Sequence, residues 1–190
     1  MKKLSTLFKK DPTDLGRVID EINSENSWVI EGLGIPTRKF DGTSCAIIEC
    51  ELYKRFDAKI NKETGEYKKQ IPQGAIPCQE PDLITGHHPH WIKCDRNDNS
   101  NKWHFKAFDV LDNKEDGTYE LCGNKVQSNP EKIDGHELIK HGIETLFVGA
   151  LTFENIREFL RANDIEGIVF HHKNDERMCK IRKSDFGIRR

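Results

Sequence analysis

Three pairs of short segments, each pair joined by a polar turn, constrain this chain more than any other feature. "CAIIEC" and "LYKRFDAKI" meet near Glu49 to Glu51; "KWHFKAFDVL" and "GTYELCG" flank "DNKEDG"; "IEGIVFHH" and "RMCKIRKSD" flank "KNDE". Segments rich in β-branched and aromatic residues, bounded by turn formers, read as antiparallel hairpins. Helical patterns are few. In "DPTDLGRVIDEINSEN" Leu15, Val18, Ile19 and Ile22 share one helical face with Asp11 or Thr13 as cap, which predicts a short N-terminal helical segment at about residues 12–25. In "LTFENIREFLRAND" Thr152 is the cap, and Ile156, Phe159 and Leu160 form the buried stripe. Several hairpins with few helices predict an α+β fold on antiparallel sheet.

The chain has 190 residues, which suits a single domain spanning 1–190. Its 30 basic and 32 acidic residues nearly cancel, so no global basic field announces nucleic acid and any basic site must be local. No apolar run is long enough to span a bilayer, and the lysine-bearing start "MKKLSTLFKKDPTDL" lacks an apolar signal core. The expectation is a soluble cytoplasmic protein without a membrane partner. The six cysteines show no CxxC pair and read as free thiols. Residues 61–101 are rich in turn formers and read as an ordered but irregular excursion. Within it Cys78, His87, His88, His90 and Cys94 hold enough N and S ligands for zinc, in a spacing that matches no familiar finger.

Candidate chemistry begins at "PTRKFDGTSC". Lys39 sits at the edge of a predicted strand beside an Asp-Gly turn. A lysine nucleophile must be neutral to attack, a state favoured by nearby cations and partial burial. Arg38, Arg55, Lys180 and Arg182 are the candidate cations. Asp41, two residues on, points to the side of Lys39 and is suited to a sugar hydroxyl or to steadying the amine. Gly42 lets a ligand approach the backbone. Alone, K-x-D-G is also what any lysine beside an Asp-Gly turn looks like. In the last hairpin, pairing His172 with Met178 puts Glu166, Ile168, Phe170, Lys180 and Arg182 on one face, a floor suited to a triphosphate, its metal and a base. Phe170 is then the candidate to stack on adenine, and Phe147 reads as core. A register shifted by one residue would split that set.

In order along the chain stand "KFDG", "LYKR", "KAFDVL", "YELCGNKVQSNPE", "EGIVF" and "MCKIRKSDFG". This series resembles the covalent nucleotidyltransferases, the ATP-dependent ligases and mRNA-capping enzymes. It is most similar to the RNA ligases, and "LYKRFDAK", "IPCQEPDLITGHHPHW" and "YELCGNKVQSNPE" resemble the small 5′-to-3′ RNA ligase family that has a vertebrate member. The likeness runs from about Ile30 to Gly187.

The resemblance implies an antiparallel-sheet nucleotidyltransferase fold, an ATP-grasp-like adenylation domain. With only three residues after Gly187, the expectation is a domain without a C-terminal OB-fold. The resemblance also implies ATP with Mg2+ or Mn2+, and an RNA partner with 5′-phosphate and 3′-hydroxyl ends. Lys39 matches the lysine that becomes lysyl-adenylate, and Asp41 and Gly42 complete its motif. Arg55 stands where a basic residue lies near ribose or phosphate. Glu120 is expected at the ribose or a metal, Glu166 at the metal, and Lys180 on the α-phosphate. Arg182 replaces a usual second lysine, and its guanidinium is not equivalent to an ammonium. Arg38 replaces a glutamate often seen before the nucleophile. RNA must then be held by this domain itself, with Lys68, Lys69, Lys93, Lys102 and Lys125 as candidate contacts, or by a protein partner. The competing readings are a DNA ligase, a capping guanylyltransferase-like enzyme, or a non-catalytic RNA- or nucleotide-binding module of the same fold.

Overall fold

The computed structural model describes residues 3–83 and 85–190. In chain order the elements are β1 (Ser5–Thr6), β2 (Phe8–Lys10), β3 (Val18–Ile22), β4 (Gly34–Lys39), β5 (Thr43–Ile48), β6 (Glu51–Lys59), β7 (Ile76–Pro77), β8 (His87–Lys93), α1 (Lys102–Asp109), β9 (Gly117–Gly123), β10 (His136–Lys140), α2 (Phe153–Ala162), β11 (Gly167–His172) and β12 (Met178–Arg182). Short 3₁₀ turns cover Ser24–Val29, Asn99–Asn101 and Lys183–Phe186. The chain is mixed α and β with mostly antiparallel pairing. Where the sequence reads as one domain, it divides into two compact units, one of Lys3 and Gly42–Lys140, the other of Leu4–Asp41 and His141–Arg190. Among the described residues no helix is long and apolar enough to cross a membrane.

The first unit is a six-stranded sheet in the order β10-β9-β5-β6-β8-β7. The β5–β6 hairpin turns on Glu49 and Cys50, both at positive φ (51° and 61°), the pattern of a two-residue hairpin turn whose twist matches the strands. Cys45, Ile47, Leu52, Tyr119 and Leu121 cluster on one face with Ala107 and Phe108 of α1. The "KWHFKAFDVL" segment is therefore helical rather than the strand expected. Trp103, Phe105 and Ala107 also fit a period of two, but Ala107 and Phe108 are both buried, and adjacent residues share an interior only on a helix. Part of the 61–101 excursion is regular too, since β8 pairs with β6 over seven residues.

In the second unit a four-stranded sheet runs β1-β12-β11-β4, and β2 pairs with β3. Pro36 is tolerated because β4 is an edge strand. Leu7, Phe8, Val29, Ile156, Leu160, Ile168, Phe170, Cys179 and Ile181 form its core. Helix α2 starts as expected, with Thr152 Oγ1 accepting from the Asn155 amide at 3.3 Å. The helix expected at about 12–25 is absent. Asp11 accepts from the Thr13 amide at 2.8 Å and Asp14 from the Gly16 amide at 2.9 Å, local turns that compete with a helix. Val18 and Ile22 then face one way because a spacing of four is even as well as helical, and Leu15 is left 73% exposed.

The last hairpin forms, in a register one residue from that expected: Met178 pairs with His171, not His172. Ile168, Phe170, Cys179 and Ile181 share the interior face, each fully buried. His172 turns the same way, its ring 5.2 Å from that of Trp28 and its Nε2 2.9 Å from Arg177 Nη2. Burial of that apolar set selects the register. Phe170 is thus a core residue and not a ring open to adenine. Phe147, expected in the core, is 93% exposed. Phe170→Ala is therefore expected to cost about 3–5 kcal/mol in denaturant unfolding, and Phe147→Ala less than about 0.5 kcal/mol. Equal effects would contradict this register.

Candidate functional site

In the second unit the middle strand β11 organises the candidates. Gly167 lies opposite Lys39 on one side and Arg182 on the other; Val169 lies opposite Thr37 and Lys180. Alternation places Lys39, Lys180 and Arg182 on one face, away from Ile168 and Phe170. A Cβ on Gly167 would fall 2.3 Å from the Ile181 carbonyl oxygen, so only glycine fits between its neighbours.

Glu166 sits in a bend just before β11, and that bend brings its carboxylate to the Lys39 side rather than to the Phe170 face. Lys39 Nζ donates directly to Glu166 Oε2 and lies 3.3 Å from the Phe40 carbonyl oxygen. Burial pushes the Glu166 carboxyl above its ordinary range, and the Lys39 ammonium opposes that rise. Burial drives the Lys180 ammonium down to about 8, and the charges on Arg182 and Lys39 act in the same direction. Asp41 lies 3.6 Å from Arg190 Nη1 and bears electrostatically on Glu166. Arg38 points to the opposite side from Lys39, its guanidinium 4.7 Å from the Phe40 ring and 3.4 Å from Glu144.

Asp185, Lys10 and Gly167 went unassigned in the sequence. Asp185 is fully buried and accepts from the Arg182 amide at 2.9 Å, Arg182 Nη2 at 3.1 Å and Lys10 Nζ at 2.7 Å. One carboxylate therefore orients the guanidinium beside Lys180. Although burial works against it, the hydrogen bonds from Arg182 and Lys10 hold the Asp185 carboxyl below its ordinary value. The legible signal was an Asp three residues past Arg182, a capping-box pattern that ends at Gly187 with φ 76°.

In the first unit Glu120 on β9 pairs with Ser44, and Arg55 on β6 pairs with Trp91. These side chains share the sheet face opposite α1. The Gly42 amide donates to Glu120 Oε1 at 3.2 Å. A Cβ at Gly42 would fall 2.2 Å from the Leu121 carbonyl oxygen, so the close approach requires glycine. Arg55 Nε donates to Asp57 at 3.1 Å, and the guanidinium is 5.9 Å from the Trp91 ring centre. Of the lysines expected at RNA, Lys93 is paired with Glu51 at 3.1 Å, while Lys68, Lys69, Lys102 and Lys125 are exposed.

Among the described residues no three His, Cys, Asp or Glu side chains converge to hold a metal by themselves. Magnesium asks for less, one or two carboxylates together with phosphate oxygens and water. Glu166, a partly buried carboxylate with raised proton affinity, is a donor that a hard cation would stabilise. No protein-family model and no curated protein matches this chain.

The Asp185 arrangement sets a pH dependence. A carboxyl held below its ordinary value in the fold stabilises the protein above pH ~4 and loses that contribution as pH falls through the folded value. Asp185→Asn is expected to cost about 2–3 kcal/mol at neutral pH, given that Lys10 and Arg182 are partly solvated. It should also flatten the acid limb of a urea-unfolding series between pH 5 and 2. A variant with an unchanged acid limb would remove Asp185 from that role.

Proposed function

We propose that this protein is an ATP-dependent RNA ligase that carries AMP on Lys39. The observation that supports this reading is the Lys39 amine held against Glu166 on the sheet face that also presents Lys180 and Arg182. Lys39 and Arg182 are separated by two inter-strand spacings, roughly 10 Å, a gap that accommodates a phosphate between them. Such chemistry depends on positioning and charge neutralisation more than on covalent catalysis by the protein.

In the proposed first step the neutral Lys39 amine attacks the α-phosphorus of ATP. An N–P bond forms, the P–O bond to pyrophosphate breaks, and the amine's proton passes to Glu166 or water. Lys180 and Arg182 hold the α-phosphate oxygens as their charge builds, and Asp185 keeps the Arg182 fork aimed. A divalent cation bound at Glu166 would neutralise the departing pyrophosphate. The proposed later steps move AMP from Lys39 to an RNA 5′-phosphate, which a 3′-hydroxyl then attacks to seal the strand and release AMP. The sequence resemblance alone implies nucleotide roles for Asp41 and, in the first unit, for Glu120, Arg55 and Gly42, with Glu120 also a metal candidate. Phe170 has no part in it.

The test is intact mass after mixing with ATP and Mg2+, then with GTP, followed by peptide mapping. The expected result is one AMP on Lys39, absent in Lys39→Ala and reduced on the order of 10²-fold or more in Glu166→Ala and Lys180→Ala. A GMP adduct would favour a capping-type enzyme, and binding of RNA without any adduct would favour a non-catalytic module. Ligation of 5′-phosphorylated RNA against DNA then separates the two ligase readings.

A second expectation concerns pH. Lys180 carries its charge below about 8 and loses it above, so its hold on phosphate weakens as pH rises through that value. ATP binding to the Lys39→Arg protein, which keeps a charge beside Lys180 but cannot take up AMP there, should fall on the order of tenfold between pH 7 and 9.5. Lys180→Arg, which does not titrate there, should remain flat across that range.

A further inference from the structure

We propose that Lys102, Lys106 and Lys125, gathered around the Trp103–His136 stack of the first unit, form a docking surface for the phosphate backbone of a single RNA strand. The choice of RNA rests on the ligase reading; the surface itself rests on separate observations. Trp103 and His136 lie parallel, with ring centres 4.5 Å apart and planes 5° from each other. Lys102 Nζ is 4.7 Å from the Trp103 ring centre and Lys106 Nζ is 5.8 Å from it. Lys106 and Lys125 both bear electrostatically on His136. Three cations thus surround one aromatic pair, all three exposed.

Two features mark this as more than a solvated face. The first is local cost. Lys102 opens α1, where its charge opposes the positive end of the helix dipole, and Lys106 stands one turn on, where like charges repel. Neither lysine, nor Lys125, pairs with a carboxylate among the described residues. Some exposed lysines elsewhere do, as in Lys9 with Glu21, Lys93 with Glu51 and Lys140 with Glu115. A sequence that accepts such cost on an otherwise charge-balanced surface retains it for a partner that supplies the anions.

The second feature is His136. It is only 6% exposed, and neither ring nitrogen has a hydrogen-bond partner. Burial lowers its proton affinity, and Lys106 and Lys125 lower it further. Lysine ammoniums around an aromatic platform are the elements that track a single strand by its backbone.

The experiment is fluorescence anisotropy of a labelled single-stranded RNA 12-mer, without ATP and in a Lys39→Ala background, across a salt series. The variant carries Lys102→Glu, Lys106→Glu and Lys125→Glu. It should bind at least about tenfold more weakly, and its log–log salt slope should be shallower by roughly 2, about 0.7 per phosphate contact. A control with the same charge change at exposed lysines away from this surface, Lys59→Glu, Lys62→Glu and Lys173→Glu, should retain both affinity and slope. The single Lys102→Glu change places an anion at the helix start, one turn before Lys106. It should therefore raise the melting temperature while weakening RNA binding, the opposite of what a purely structural lysine would do. Equal losses in the control, unchanged binding in the triple variant, or a lowered melting temperature for Lys102→Glu would overturn the proposal. Because no nucleotide is present, absence of a Lys39 adduct would defeat the ligase reading and leave this surface standing; unaltered RNA binding would do the reverse.

Discussion

The candidate chemistry of the second unit depends on the pairing of β11 between β4 and β12. Gly167 faces Lys39 across one ladder and Arg182 across the other, and this row sets the separation of the two cations. The charged residues did not select that row. Ile168, Phe170, Cys179 and Ile181 are withdrawn from water together, and a slip of one position between the two strands would turn one strand's pair to the other face. Burying a large apolar side chain stabilises by about 1.5–3 kcal/mol, which outweighs any preference of exposed lysines for one face. The charged face is what remains once the apolar face has been satisfied.

That arrangement leaves three basic side chains and one carboxylate in a restricted space, and their mutual influence follows. Burial makes Glu166 readier to accept a proton, while burial, with the charges on Arg182 and Lys39 added, makes Lys180 readier to lose one. Asp185 restrains the set from beneath, with Lys10 and Arg182 sharing its carboxylate. Arg182 gains a fixed orientation in place of the mobility of an exposed guanidinium. A pre-set donor costs less to order when charge develops on a phosphate. The first unit shows the same economy in backbone form, where Gly42 brings its amide to Glu120 because no side chain intervenes.

The lysines of α1 illustrate the complementary case, in which local rules are broken rather than obeyed. Helix-start lysines and same-sign neighbours one turn apart are unfavourable in isolation. Their grouping with a stacked Trp–His pair emerges only when α1 packs across β10 and the turn after β9 carries Lys125 towards His136.

The hairpins β5–β6 and β11–β12 and the capped helix α2 were legible in the residues themselves, and so was the order in which Lys39, Glu166, Lys180 and Arg182 occur. Turn chemistry, helix caps and residue order are local properties that require no tertiary information. Three matters were decided only in the folded protein. The segment at residues 12–25 became turns and a strand because a spacing of four fits both periods. "KWHFKAFDVL" became a helix because adjacent Ala107 and Phe108 both found an interior. Phe170 entered the core because a strand's facing depends on its partners. In each case the chain permitted two local solutions, and the burial of apolar area, a property of the whole assembly, selected one.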